Sequence, residues 1–253
     1  MALLVGTSGF SYADWRGRFY PPGLPQRRWL AFYARVFRTV ELNATFYRLP
    51  SVQAAARWRD ATPEGFVFGA KGSRYLTHMK RLGDAGAGVR RFLERVDPLR
   101  PKLAVLLWQL PPQMDRADPA RLEAFLRRLP RDLRHAFEFR SAAWYSEAIC
   151  DLLDAHGAAF CEHDLVDARP PRITGGFRYL RFHGATGRYA GRYGRSALAP
   201  VARRLREAGT DAFVYFNNDV GGHAIEDALD LLELLGERPR DALAAARDEA
   251  GAR

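Results

Sequence analysis

Short apolar segments alternate with segments of helical periodicity along the whole chain. The apolar segments predict eight β-strands, and the apolar residues spaced three or four apart predict the helices. The predicted strands are residues 3–6, 39–42, 66–71, 103–108, 136–139, 158–162, 177–182 and 212–216. The predicted helices are residues 27–37, 51–58, 88–96, 119–129, 144–156, 198–208, 225–235 and 241–250. The crossing from strand six to strand seven is proline-rich and shows no clear helix.

Strands that alternate with helices pair in parallel, and right-handed crossovers bend such a sheet consistently in one direction. Eight strands, most of them followed by a helix, therefore predict a single-domain (β/α)8 TIM barrel with one irregular connection between strands six and seven. A doubly wound open sheet is the alternative, since sequence does not show a reversal of strand order. We expect the barrel domain to cover residues 1–238 and a C-terminal helix and tail to cover 239–253.

Polar residues stand where most of these strands end. Four strands carry a pair of them two positions apart, so that both point to one face: Glu41 with Asn43, Glu138 with Arg140, Glu162 with Asp164, and Arg181 with His183. Active sites of (β/α)8 barrels lie at the carboxyl ends of the strands, which makes these positions candidates for a shared site. The remaining strand-end residues are Lys71, Gln109, His163, Asn217 and Asn218. A structural ion-pair network is the alternative explanation.

The chemistry of these side chains suggests their roles. Glu41 and Glu138 are candidates for general acid and base, and His183 for a proton shuttle near neutral pH. Lys71, Arg140 and Arg181 offer positive charge to an anionic group. We expect Asn43, Gln109 and Asn217 to contribute to substrate binding.

Aromatic residues and one loop are further candidates. Trp15 and Tyr47 are expected to bind substrate, and with Trp144 they could stack on a flat ring, although aromatic residues that simply cover the core give the same pattern. His78 follows strand three, either as an exposed loop residue or as part of the site. The glycine-rich loop 184–194 is expected to be mobile enough to act as a lid.

The positive charge of the chain raises the question of whether the protein binds nucleic acid. The net charge is +10 and the pI is about 10, but lysine occurs only at positions 71, 80 and 102, so that 36 of the 39 cations are arginine. The arginines are scattered along helices rather than gathered in a basic block, which is typical of solvated faces. A small anionic substrate is therefore the expected partner, with nucleic acid as a less favoured alternative.

The sequence contains only weak signals for a metal site, for disulfides or for a membrane-spanning segment. Glu41, Glu138, Asp164 and His183 are suitable ligand types, but no metal-binding signature is present, so no obligatory metal is expected and a divalent ion stays an alternative. Cys150 and Cys161 form no disulfide framework. No apolar run is long enough to span a bilayer, and the N-terminus is expected to form the first strand rather than a signal peptide, so the expected location is cytoplasmic. The oligomeric state is open.

Several motifs resemble those of the YecE-like family, known as domain of unknown function seventy-two. The resemblance extends from strand one to the last barrel helix, and it rests on the motifs at 6–10, 39–50, 109–112, 137–140, 181–184 and 216–218. It implies a TIM-barrel fold and no settled activity. The strand-end polar residues described above are the ones that match its motifs.

Together these features favour an enzyme that uses acid–base chemistry on a small anionic substrate, which could carry a phosphate group. Two alternatives stay open: a nucleic-acid-binding protein, and a metal-dependent phosphodiesterase or endonuclease-like hydrolase. The reaction type, whether hydrolase, lyase or isomerase, does not follow from the sequence.

Overall fold

The computed structural model describes residues 1–251. These residues divide into two compact units. The first unit contains residues 1–41, 60–67 and the chain from 181 onward, and the second contains residues 42–59 and 68–180. Each unit is described by itself below.

Nine strands form within the described residues, and they belong to two sheets. The strands are β1 Leu3–Thr7, β2 Thr39–Leu42, β3 Val67–Lys71, β4 Leu103–Gln109, β5 Arg134–Glu138, β6 Ala158–Phe160, β7 Glu162–His163, β8 Phe177–Phe182 and β9 Asp211–Phe216. One sheet has the order β1-β9-β8-β7, and the other has the order β2-β3-β4-β5-β6. Pairing is parallel between β1 and β9, and from β3 through β6.

Nine α-helices lie between or after these strands within residues 1–251. They are α1 Trp29–Tyr33, α2 Ala44–Tyr47, α3 Val52–Asp60, α4 Gly86–Val96, α5 Pro119–Leu126, α6 Glu147–Ala155, α7 Gly194–Glu207, α8 His223–Leu234 and α9 Pro239–Gly251. Short 3-10 turns and one π-helical turn, Tyr75–Met79, supplement them. No described helix is both long enough and apolar enough to cross a membrane.

The sheet core follows from the composition of the strands. The β4 sequence Leu-Ala-Val-Leu-Leu-Trp-Gln is apolar at successive positions, and six of its seven residues are buried. Continuous apolar runs of this kind are typical of parallel strands that are covered on both faces. The mixed α/β class and the parallel pairing are thus confirmed. The strands pair into two sheets of four and five strands, and closure into one barrel stays a prediction.

The predicted sixth strand, 158–162, forms two strands instead of one. β6 ends at Phe160 and pairs with β5, while Glu162 and His163 form β7 beside β8. Two hydrogen bonds of 2.7 Å join the Arg178 guanidinium to the two oxygens of Glu162, which holds β7 against β8. The local periodicity of the sequence does not predict this pairing, because Arg178 lies sixteen residues after Glu162 in the chain.

Two helix starts, those of α3 and α5, were predicted to within one residue, and both carry an N-cap. Ser51 Oγ accepts a hydrogen bond from Ala54 N (3.1 Å), and Asp118 Oδ1 accepts one from Arg121 N (3.0 Å), as expected of N-caps. The predicted helix 27–37 is only the 3-10 turn Gln26–Arg28 followed by α1. The predicted C-terminal tail includes Ala252 and Arg253, which lie outside the described residues. Cys150 and Cys161 are buried and form no disulfide within the described residues.

Candidate functional site

The first unit brings six polar side chains together, and we call them the first cluster. Each member stands at or just beyond the carboxyl end of a strand, except Tyr12, which lies in the loop after β1. The members are Ser8 after β1, Tyr12, Glu41 in β2, Arg181 in β8, His183 after β8 and Asp219 after β9.

A buried ion pair forms the centre of the first cluster. Arg181 Nη2 lies 2.7 Å from Glu41 Oε1 and 3.1 Å from Ser8 Oγ. Ser8 Oγ donates to the same Glu41 oxygen at 2.5 Å. The backbone fixes this geometry, because Ser8 and Glu41 form a parallel β-bridge and Gly9 N donates to Glu41 O at 2.8 Å. A buried carboxylate is costly unless it is paired, and here the guanidinium supplies the pairing.

His183 is held in one protonation state by its neighbour. Its side chain is fully buried, and its Nε2 lies 3.2 Å from Arg181 Nη1. A guanidinium only donates hydrogen bonds, so Nε2 must accept, which places the ring proton on Nδ1 and leaves the imidazole neutral. In this arrangement His183 orients Arg181.

Asp219 has a strongly perturbed carboxyl group. Burial raises the pKa of its carboxyl from the ordinary 3.8 to about 7, Glu41 raises it further, and Tyr12 and Arg181 oppose the rise. Its Oδ1 is shielded from solvent and has no hydrogen-bond partner among the described residues. The Tyr12 hydroxyl donates to Ser8 O at 2.5 Å, and its interaction with the Asp219 carboxyl favours the ionised form of that group.

Tyr12 itself is an unreactive phenol in this environment. Burial, followed by the charge of Asp219, raises its pKa well above the ordinary value of 10. Tyr12 therefore stays protonated at neutral pH and acts as a fixed hydrogen-bonding group between the Ser8 carbonyl and Asp219.

The second unit contains a separate group that we call the second cluster: Lys71, His78, Glu138 and Arg140. Glu138 at the end of β5 pairs with Arg140 Nε two residues later, as their shared face predicts, and both side chains are at least nine-tenths buried. Lys71 ends β3, and its Nζ lies 4.2 Å from the centre of the Phe46 ring, a cation–π contact.

The pKa of His78 reflects the balance of positive and negative charge in the second cluster. It is half-buried in the π-helical turn, with Nδ1 at 2.9 Å from Thr77 Oγ1. Burial lowers its pKa from 6.5 to about 4, and Lys71, Arg74 and Arg140 lower it further, whereas Glu138 alone among the named neighbours raises it. Positive charge therefore exceeds negative charge around this imidazole.

The polar strand-end residues outside the two clusters differ in their burial and in their hydrogen-bond partners. Gln109 lies beside Glu138 in the register of β4 and β5 and is 6% exposed. Asn43 Oδ1 is shielded and has no hydrogen-bond partner in the described chain. Asn217 is buried, and its backbone N donates to Phe182 O at 2.7 Å. Asn218 donates to Gly191 O and to Asp227 Oδ2, at 2.8 and 2.7 Å, and so has a structural role.

Residues 4–251 match the family model described as "Protein of unknown function DUF72". The chain belongs to the DUF72 family. The curated UPF0759 protein YunF of Bacillus subtilis (strain 168) is 28% identical over 92% of this chain and 94% of its own length. The UPF0759 protein YecE of Escherichia coli (strain K12) is 32% identical over 46% of this chain and 42% of its own length.

Two solved DUF72 structures resemble the chain along almost its full length. A DUF72 family protein of Thermotoga maritima MSB8 has a TM-score of 0.84 and 30% identity, and the match covers 94% of this chain and all of that one. A DUF72 family protein of Enterococcus faecalis V583 has a TM-score of 0.79 and 22% identity, over 93% of this chain and 96% of that one, which supports the fold alone. The family resemblance inferred from the motifs is confirmed.

The sequence alone assigned no role to three members of the first cluster in this DUF72 chain, Ser8, Tyr12 and Asp219. Ser8 and Asp219 could have been named as strand-end candidates, because Ser8 follows strand one and Asp219 follows Asn217 and Asn218. Asp219 was passed over because it lies three residues beyond its strand, in a turn whose course the sequence does not specify.

The aromatic candidates of the DUF72 chain differ in exposure. Trp15 is fully buried in the first unit, where its ring packs against Tyr12, Phe19 and Tyr20. Trp144 is also fully buried, and its Nε1 donates to Met114 O at 2.7 Å. In contrast, 73% of Tyr47 is exposed.

The glycine-rich loop 184–194 is tied to the rest of the first unit. Asp227 accepts hydrogen bonds from the backbone of Tyr193 and Gly194 at 3.0–3.2 Å, and Gly184 N donates to Tyr193 Oη at 2.6 Å. The loop is therefore more firmly anchored than its glycine content suggests. Within residues 1–251, no group of three or more His, Cys, Asp or Glu side chains is arranged to hold a metal ion.

Proposed function

We propose that this DUF72 protein is an enzyme that performs acid–base chemistry on a small anionic substrate. The observation that carries the proposal is the Asp219 carboxyl, with a pKa raised to about 7 and an Oδ1 atom that no described group satisfies. A proton donor or acceptor is most effective when its pKa lies near the working pH. Strongly perturbed acids held by a specific set of neighbours are also more frequent at functional sites than elsewhere.

The two carboxyl groups of the first cluster have unlike environments, as acid–base pairs in enzymes do. Glu41 shares a buried ion pair with Arg181, whereas Asp219 contacts a neutral phenol. We assign the proton transfer at neutral pH to Asp219. Glu41 and His183 then hold Arg181 and Ser8 in place, although their contact with substrate stays a proposal.

The anionic character of the substrate rests on the second cluster. Its net positive charge around His78 is the environment that a phosphate or carboxylate group would neutralise, and buried Lys71 provides a charge with little competing solvent. Arg140 forms an ion pair with Glu138, so we assign Arg140 to orienting that carboxylate. We assign binding of the anion to Lys71.

We also propose that the strands close into the (β/α)8 barrel that the sequence predicts. Support comes from the consecutive order of the five-stranded sheet, from its parallel pairing and from the Ser8–Glu41 bridge. A crystal structure that leaves β6 or β7 as an open sheet edge would contradict the closed barrel.

The first experiment measures the titration of Asp219 without any substrate. Carbon-13 labelling of aspartate carboxyl groups, with the signal assigned by its loss in Asp219→Asn, should give a pKa near 7. The matched variant Tyr12→Phe removes the phenol that lowers this pKa and should raise it further. A midpoint close to 4 in the wild type would remove the basis of the proposal.

The second experiment searches for the reaction. A panel of phosphorylated and carboxylated metabolites is screened by thermal shift, and each compound that stabilises the protein is followed by proton NMR for turnover. Turnover should be abolished by Asp219→Asn and, if the second cluster takes part, by Glu138→Gln. Glu64→Gln, an exposed carboxylate outside both clusters, is the control and should keep full activity.

A further inference from the structure

A groove of about 950 Å³ opens on the second unit, and none of its lining residues belongs to the second cluster. Four short segments line it: α2 with the residues that follow it, α3, the start of the π-helical turn, and α4. The helix period explains the lining, since Ala87, Arg91 and Arg95 are four residues apart and share one face of α4. We call it the tyrosine–arginine groove, after Tyr47, Arg48, Tyr75, Arg91 and Arg95.

The charge of this groove is entirely positive. Its lining contains three arginines and neither aspartate nor glutamate. Within residues 1–251, Arg48, Arg91 and Arg95 form no ion pair, whereas many other arginines of the chain do. Arg172, for example, contacts three carboxylates. Three unpaired guanidinium groups in one groove are complementary to an anionic ligand.

The aromatic rings of the groove are unusually accessible. Tyr47 is 73% exposed and Tyr75 is 46% exposed, although both are large side chains that lose favourable contacts in water. A ring that is held at the surface beside a cation offers a face for another flat ring to stack on. Repeated stacking platforms in a positively charged groove are the combination that binds single-stranded nucleic acid without reading its sequence.

We propose that the tyrosine–arginine groove binds a single strand of nucleic acid, with bases stacked on Tyr47 and Tyr75 and phosphates paired with Arg48, Arg91 and Arg95. A peptide fits less well. No strand edge lines the groove for β-augmentation, and the two serine hydroxyls in the lining already accept hydrogen bonds from backbone amides, Ser51 from Ala54 and Ser73 from Tyr75. This function is independent of the acid–base chemistry assigned to Asp219.

The test is fluorescence anisotropy of the full-length protein with a labelled twelve-nucleotide thymidine strand. We expect binding at about 50 mM salt, with log K falling by about 2 per unit of log salt concentration, since three phosphate contacts contribute about 0.7 each on a single strand. A duplex of the same length and a labelled twelve-residue glutamate peptide are measured in parallel.

Variants at two positions, Tyr47 and Arg91, separate stacking from charge. Tyr47→Ala should weaken binding roughly ten-fold and leave the salt slope unchanged, and Tyr47→Phe should retain binding. Arg91→Ala should weaken binding and reduce the slope by about 0.7. Arg90→Ala is the matched control, because Arg90 is exposed on the same helix but does not line the groove.

Tight binding of the thymidine strand with this pattern of losses supports the proposal. Absence of binding at about 50 mM salt, or binding that the groove variants leave unchanged, overturns it. Equal binding of the glutamate peptide, lost in Arg91→Ala but not in Tyr47→Ala, also overturns it and identifies a surface for acidic proteins. Equal binding of the duplex, insensitive to Tyr47, overturns the stacking arrangement and with it the proposal.

Discussion

Arg181 Nη2 lies 2.7 Å from Glu41 Oε1, and neither side chain exposes any surface to solvent. The two residues are 140 positions apart in the chain, so the folded state alone brings them together. Because both charges are buried, each depends on the other to offset the free energy of leaving water. Ser8 bonds to both partners and completes the arrangement.

Glu41→Gln should destabilise the protein by about 3–5 kcal/mol, since it leaves the Arg181 charge buried without its counter-charge. The free energy of unfolding, measured in urea at neutral pH, checks this. Glu237→Gln is the matched control, because it breaks the exposed 2.6 Å pair with Arg38 and should cost at most about 1 kcal/mol. Similar losses in the two variants would show that burial does not determine the strength of the Glu41 pair.

The sequence identified the residues of this pair but not the pairing. Glu41 and Arg181 were both recognised as polar residues at strand ends, and were assigned separate roles in catalysis and anion binding. The two-residue period of a strand shows that Glu138 and Arg140 share a face, and these two do pair. The same period contains no information on which distant strand supplies a partner, and the contact of Glu41 with Arg181 depends on that long-range pairing.

Asp219→Asn should make the protein more stable at high pH than the wild type. The carboxyl pKa is about 7 in the folded protein and 3.8 ordinarily, so between these values the folded state binds more protons than the unfolded state. Stability therefore falls as pH rises from about 4 to about 7, and stays low above that. We expect the variant to gain about 1–2 kcal/mol at pH 8 relative to pH 4, less than the ~4 kcal/mol that three pKa units represent, because Asp219 is not fully removed from solvent. Urea unfolding across this range measures it, and a pH-independent difference would show that Asp219 stays ionised.

The buried His135 should make the protein sensitive to mild acid. Its Nε2 donates to Pro130 O at 2.9 Å, and its Nδ1 accepts from Trp108 Nε1 at 3.2 Å, so a second proton would displace the Trp108 bond. Burial lowers its pKa from 6.5 to about 4. The unfolded state therefore takes up the proton first, and stability should fall by at most about 3 kcal/mol as pH drops from 6.5 to 4. Urea unfolding of the wild type and of His135→Gln gives the two slopes, and equal slopes would exclude His135 as the cause.

The fold was predicted well at the level of elements and less well at the level of sheets. The helices predicted to start at 51 and 119 do start within one residue of these positions, because the Ser51 and Asp118 caps act locally, through a hydrogen bond from a backbone amide three residues on. The break after Phe160 was not predictable, because it depends on the bonds between Glu162 and Arg178, sixteen residues later. The sequence does not decide whether His78 lies in an exposed loop or in the site, since its position depends on a π-helical turn that no periodicity indicates.

Inorganic phosphate should raise the pKa of His78. In the absence of an anion this pKa is about 4, held down by burial and then by Lys71, Arg74 and Arg140. An anion that binds among these cations offsets their repulsion of the imidazolium, so the protonated form becomes more favourable. The measurement is the proton NMR titration of the His78 ring, with and without phosphate, at constant ionic strength. Lys71→Met should raise the pKa without phosphate and reduce the response to it, whereas Lys102→Met, which removes a lysine not among the charges that act on His78, should change neither. A His78 pKa that phosphate leaves unchanged would count against the second cluster as an anion site.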